Sequence, residues 1–382
     1  MSGLLERRAA AARELMEADG LDALVAVSRG HITQYGDVEF LTAYTPVARM
    51  AYAVMTRSGR GPVLIAPTPA DRWYAARHPE APEILVAGGG DLLSGVDDLP
   101  SAVAAVLRQE GAEGGRVGVT GMRSLLPVGE LESLRRALPQ ADLVDAGALI
   151  AELKLLKGDE DLAELRRTVE IGDAGFDAGR RALRAGATDA EVGAAIRKAI
   201  FARGARDALI FVSAEPYFLS WSQGREFGDG DLASVYVEVV GPSGYWVEVG
   251  GLVALGEPAP EQLRVAEACL DAARQAEALL RPGVTAAEVA RAIDAVAAAA
   301  EVGSGIWHGH GVGVDHDRPV ITAGDETPLA DGMVISVHPN FASADERFGA
   351  SAVDTYAITE DGAERLSRIP HGILGPEREA PR

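Results

Sequence analysis

Residues 234–255 read SVYVEVVGPSGYWVEVGGLVAL, and the second half of the chain takes its meaning from this stretch. Two apolar runs of alternating polarity flank Gly241-Pro-Ser-Gly244, which predicts a β-hairpin closed by a short glycine-containing turn. Glu238 and Glu248 are the carboxylates inside these runs. Each is either a solvent-facing position of a half-buried strand or a charge brought into a site. Just upstream, ALIFVS (208–213) predicts another strand. Before it, a long helix is expected from Glu160 to about Ala185, then a second opened by the capping box Thr188-Asp-Ala-Glu191. Downstream, two alanine-rich helices are expected near 260–280 and 286–300, the latter with Thr285 as N-cap. Three strands then close the pattern near 311–314, 333–339 and 353–359. Runs of strands flanked by paired helices predict an α+β domain.

Outward on the N-terminal side, the stretch GALIAELKLLKGD beginning at Gly147 reads as a connector. The first 145 or so residues alternate between helical and extended patterns, with strands expected near 23–28, 51–56, 63–66, 83–87, 116–120 and 142–145. Alternation at this spacing predicts an α/β domain around a central sheet. The first twenty residues place Arg and Glu inside their apolar pattern, as an amphipathic helix does and a signal peptide does not.

Composition sets the outer limits. Apolar residues make up 47% and charged residues 24%, ordinary for a globular chain and too apolar for a wholly disordered one. No run approaches the roughly 20 apolar residues of a membrane-spanning helix. The net charge of −21 repels phosphate backbones, and no Lys/Arg-rich segment counters it, so neither nucleic acid nor membrane is expected as a partner. The single cysteine, Cys269, allows no intrachain disulfide and suits a reducing cytoplasm.

Histidine is scarce. Of seven, four fall within 308–338: His308, His310, His316 and His338. In GIWHGHGVGVDHDRP (305–319), His308 and His310 share a side if the segment is extended, and the glycines flanking His310 permit close backbone approach. His338 ends an apolar strand just before a ladder-breaking proline. Clustered imidazoles and carboxylates make metal or acid–base sites.

In these residues and the motifs around them, the chain resembles the creatinase/prolidase/aminopeptidase P family of pita-bread hydrolases. The resemblance rests on LKLLKGDEDLAELRR, GYWVEV, LLRPGVTAAEVARAI, GHGVG, LADGMVISVHP and DTYAITEDGAERL, in this order. It implies a creatinase-like N-terminal α/β domain (1–150), an α+β pita-bread catalytic domain (151–372) and a homodimer, while the composition of the closing GPEREAPR predicts a flexible tail (373–382). Metallopeptidases of the family hold two metal ions with two Asp, one His and two Glu. Here Glu238 or Val237 falls at the first Asp position and Glu248 at the second. His310 matches the family histidine, while His338 and Val353 stand where the two Glu belong. Valine cannot bridge two cations, so a standard dinuclear centre is not expected.

Two readings remain open. In one, Glu248, His310 and His338 hold a single divalent ion (Zn, Mn or Fe), with Glu238 as a fourth ligand or base. In the other there is no metal, and His310 moves protons as in the creatinase branch. His316, or else Asp317, corresponds to the family's second histidine. His308, Tyr217, Trp221 and Asp317 are the candidate substrate contacts. The expected activity is hydrolysis of an amide- or amidine-like C–N bond in a small molecule. An Xaa-Pro dipeptidase or aminopeptidase, and a non-catalytic binding module, are the alternatives.

Overall fold

A computed structural model describes residues 3–47, 49–59, 61–87, 98–216 and 220–376 of the 382-residue chain. The chain divides into two compact units, Met1–Leu155 and Leu156–Arg382.

The first unit contains α1 (Leu4–Ala18), β1 (Ala23–Arg29), α2 (Gly36–Thr42), β2 (Met50–Thr56), β3 (Val63–Ala66), α3 (Pro69–Ala75), β4 (Glu83–Val86), α4 (Asp98–Gln109), β5 (Arg116–Val119), α5 (Val128–Ala137), β6 (Asp142–Asp145) and α6 (Gly147–Leu155). Its six strands form one mixed sheet in the order β4-β3-β2-β1-β5-β6. The central strands β1 and β2 are buried along nearly their whole length, as their continuous apolar runs require of strands covered on both faces. Val25, Tyr52 and Val54 pack with Val103 and Leu107 of α4 and Leu134 of α5. This is the predicted α/β domain. Its unpredicted elements are α2 and α6, the latter lying inside the expected connector.

The second unit opens with α7 (Asp159–Ala182) and α8 (Asp189–Phe201), followed by β7 (Asp207–Ser213), β8 (Leu232–Val240) and β9 (Trp246–Ala254). The Thr188 capping box forms as predicted, its hydroxyl accepting from the Glu191 N–H at 3.2 Å. Beyond β9 come α9 (Pro260–Leu279), α10 (Ala286–Ala299), β10 (Gly303–Ser304), β11 (Gly309–Val312), β12 (His316–Val320), β13 (Val334–Val337), β14 (Asn340–Ala342), β15 (Gly349–Ser351), β16 (Asp354–Thr359), β17 (Gly362–Arg365) and β18 (Ile373–Leu374).

Two sheets carry the unit, ordered β18-β9-β8-β7 and β12-β11-β13-β16-β17, with a small third sheet β10-β14-β15. The hairpin forms as read, with Glu238 directly opposite Glu248. Helix α7 lies close against it because Gly172 carries no side chain: a Cβ there would come within 2.6 Å of Val249. The two main sheets meet where the Gly250 N–H donates to Val353 O (3.1 Å).

The first residues of the expected flexible tail are ordered as a strand. Ile373 and Leu374 are apolar enough to extend the first sheet, pairing in parallel with Leu252 and Val253. The end of that tail, 377–382, lies outside the described residues. Among the described residues, no helix is long and apolar enough to cross a membrane.

Candidate active site

Strands β8 and β9 are buried along almost their whole length, so the solvent-facing option for their carboxylates fails. Glu238 is 5% exposed and Glu248 0%. Buried charges need partners, and the second sheet supplies them. Across β11, β13 and β16 the register aligns His310, Ser336 and Thr355 in one row. Thr355 fixes the Glu248 main chain in both directions: its hydroxyl accepts from the Glu248 N–H (3.1 Å) and donates to the Glu248 carbonyl (2.8 Å).

The Glu248 carboxylate sits at the centre. Its Oε2 accepts from Tyr236 OH and from Ser336 Oγ, each at 2.6 Å. Its Oε1 faces His310 Nε2 at 3.0 Å and His316 Nε2 at 3.6 Å. His316 Nε2 also lies 3.4 Å from Glu238 Oε2. His310 Nδ1 donates to the Gly311 carbonyl (3.0 Å), which orients the ring and leaves Nε2 directed at the carboxylate.

Burial and charge then oppose each other. Burial works against ionised Glu248, but the charge and hydrogen bond of His310 outweigh it and hold its carboxyl well below the usual range. Burial likewise pulls His310 down, yet the carboxylates, Glu248 foremost, carry it to about 9. For His338 burial wins, pushing it down to about 4, so that ring is neutral. Burial, aided by the charge of Glu248, raises Glu238.

Glu238, Glu248, His310, His316 and His338 lie in one cluster, and the three whose ligand atoms come closest together are not the expected Glu248-His310-His338. Ligand atoms of Glu248, His310 and His316 lie within 4.8 Å of one another. His338 Nε2 is 3.8 Å from Glu248 Oε2, the oxygen that already accepts two hydroxyl protons. In that close group His316 stands where the sequence suggested His338. It also takes the loop position left open between itself and Asp317. Alternation along β12 turns Asp317 to the opposite face, where its carboxylate meets the Lys157 ammonium at 3.5 Å.

His308 is buried but faces away from the carboxylates: its Nε2 lies 2.9 Å from Asp294 Oδ1 on α10. Its carbonyl accepts the His338 N–H (2.8 Å), so it shapes the backbone under the site. Trp221 is 81% exposed, and Tyr217 lies outside the described residues. Val353 is buried beside Phe211 and Tyr236.

Four contributors escaped the sequence reading: Tyr236, Ser336, Thr355 and Trp307. The Trp307 ring stands 5.7 Å from that of His310 and 6.2 Å from that of His338, half-exposed at the edge of the cluster. A signal for two of them existed. Tyr236 is two residues before Glu238, and Ser336 two before His338, the spacing that puts strand neighbours on one face.

Three buried polar atoms, Glu238 Oε2, Glu248 Oε1 and His316 Nε2, make no well-formed hydrogen bond and are met only by ion-pair contacts of 3.0 to 3.6 Å among the carboxylates and imidazoles. Buried polar atoms without partners cost about 1–3 kcal/mol each. Glu248 Oε1 and His316 Nε2 lie with His310 Nε2 within 4.8 Å of one another, close enough to share one divalent cation, and Glu238 Oε2 stands beside His316. Two imidazoles with carboxylates form a donor set suited to Zn, Mn or Fe.

Known proteins carry the same architecture. Residues 163–360 match metallopeptidase family M24, and residues 8–155 match the creatinase/prolidase N-terminal domain. The probable dipeptidase PepE of Mycobacterium tuberculosis is 30% identical over 285 residues, covering 73% of this chain and 74% of that protein. An Xaa-Pro dipeptidase of Pyrococcus horikoshii is 28% identical over 271 residues, covering 66% and 74%. Among solved structures, dipeptidase PepE from Mycobacterium ulcerans superposes with a TM-score of 0.77 at 28% identity, covering 98% of each chain. A prolidase from Thermococcus sibiricus, 20% identical with a TM-score of 0.82 over 98% of this chain and all of that one, shares the fold.

Proposed function

This chain belongs to metallopeptidase family M24 and is a hydrolase of that family, and from that premise we propose that it cleaves the amide bond of a small, dipeptide-like substrate with the help of one divalent cation held by Glu248, His310 and His316. The observation that supports the reading is the buried group of Glu248, His310 and His316, whose ligand atoms lie within 4.8 Å of one another. A cation bound there would polarise the scissile carbonyl and lower the pKa of a bound water. Glu238, beside His316 and raised by burial, is placed to accept and return the proton of that water. Trp307 offers an apolar wall for the substrate at the rim.

The relatives are named dipeptidases and Xaa-Pro dipeptidases, which favours a peptide bond over the amidine-like substrate expected from the residues. Val353 argues against the family's two-ion arrangement, because the second bridging position offers no donor. A cytoplasmic homodimer completes the reading, in keeping with the lone reduced cysteine.

The test is elemental analysis of protein purified without added metal, followed by assay against a dipeptide panel that includes Xaa-Pro members, with Zn, Mn or Fe supplied. One ion per chain is expected, with turnover lost on chelation and in His310→Ala. Turnover that persists in chelator but vanishes in His310→Ala would instead establish the metal-free route.

A further inference from the structure

We infer that Tyr236 and Ser336 are positioning residues that close one oxygen of Glu248 and thereby make this a one-ion site; the inference rests on the cation reading above. A carboxylate oxygen offers two lone pairs. Both of those on Glu248 Oε2 are met, by Tyr236 OH and Ser336 Oγ at 2.6 Å each. The two hydroxyls arrive from different sheets, Tyr236 on β8 and Ser336 on β13, and both residues are buried (2% and 0% exposed). The carboxylate is therefore held from two sides.

Its other oxygen is in the opposite state. Oε1 meets no hydroxyl and faces only His310 Nε2 at 3.0 Å and His316 Nε2 at 3.6 Å. One oxygen is closed by hydroxyl protons and the other faces two imidazole nitrogens that could share a cation with it once deprotonated, so Glu248 would hold that cation through a single oxygen. A carboxylate that bridges two cations through its two oxygens needs a lone pair free on each, and Oε2 has none.

The region beyond Tyr236 agrees. Phe211 stacks edge-on to Tyr236 with ring centroids 6.0 Å apart, and Val353 packs against both. Opposite Tyr236 in the hairpin, Gly250 leaves no space for a donor: a Cβ there would meet Val353 Cγ1 at 2.7 Å and the Val235 carbonyl at 2.3 Å. Where the family resemblance calls for a second cation, this chain has two hydroxyl protons and an apolar cluster. The pair of ions does not fit.

The experiment is a calorimetric titration of metal-free full-length protein with Zn²⁺, with elemental analysis at saturation. The native chain is expected to take up one ion. Tyr236→Phe and Ser336→Ala should each weaken binding by about 10- to 100-fold, the usual effect of losing a group that orients a ligand. Circular dichroism and melting curves should show the fold retained, since a merely structural role would lower the melting temperature and leave affinity alone. Saturation at two ions in the native chain overturns the inference and needs no variant. Folded variants with native affinity overturn it too, while leaving the cation reading intact. Absence of any binding overturns both.

Discussion

Thr355 shows how closely one side chain can control another here. It holds the backbone of Glu248 by two hydrogen bonds and leaves the carboxylate to others. Thr355→Val keeps the shape, removes both bonds and leaves two buried backbone groups unpaired. We expect a loss of about 2–4 kcal/mol in urea unfolding, taking roughly 1–2 kcal/mol per orphaned group, together with reduced turnover. Val353→Glu should be costlier unless a cation accompanies it. A carboxylate buried beside Phe211 and Tyr236 has no counter-charge, and breaking such balance typically costs about 3–5 kcal/mol, visible as a lowered melting temperature. The same residues explain what the sequence could reveal. Glu238, Glu248 and His310 are legible because charge or imidazole inside an apolar strand is anomalous. Tyr236 and Ser336 are ordinary strand residues, and only their meeting on one oxygen gives them a role. Placing His316 beside His310 and Glu248 needs the pairing of β11 with β12, which no local pattern encodes.

At the level of elements, β11 is a strand compressed from both sides. A Cβ at Gly309, whose φ is +153°, would lie 2.2 Å from the Ser336 carbonyl, and one at Gly311 would lie 2.2 Å from the Arg318 carbonyl. The glycines around His310 thus let β13 and β12 approach, and β12 carries His316. Gly311→Ala should push β12 outward, cost about 1–3 kcal/mol from overpacking, and reduce turnover by about 100-fold through misplacement of His316. Parallel stability and activity measurements separate the two effects. The helices were easier to read than this strand. Thr188 with Glu191, and Thr285 with Glu288, announce their helix starts by local chemistry alone. Strand β12, with Asp, Arg and Pro among its five residues, reads as a loop and becomes a strand only by pairing with β11. The two- to four-residue strands β10, β14, β15, β17 and β18 are too short to show a period.

For the whole molecule, the family and its two-domain architecture were legible because separate motifs recur in a fixed order, a signal that survives the loss of individual ligands. Cys269 provides a global probe. It is wholly buried on α9, donates to the Pro339 carbonyl at 3.3 Å, and burial pushes its thiol up to about 12. A thiol reagent should therefore label native protein only through opening of this region, at a rate that rises with urea; immediate labelling without denaturant would contradict the burial. The division of the site between two sheets has a further consequence. One sheet brings Glu238 and Glu248, the other His310 and His316, so neither sheet alone can hold an ion and the unfolded chain holds none well. A bound cation then acts as a clasp whose strength depends on its free concentration. At a hundredfold excess over Kd it would add about 2.7 kcal/mol to stability. Heat resistance would then follow the surrounding metal supply, and starvation for the ion would be felt first as a shortened lifetime of the folded chain.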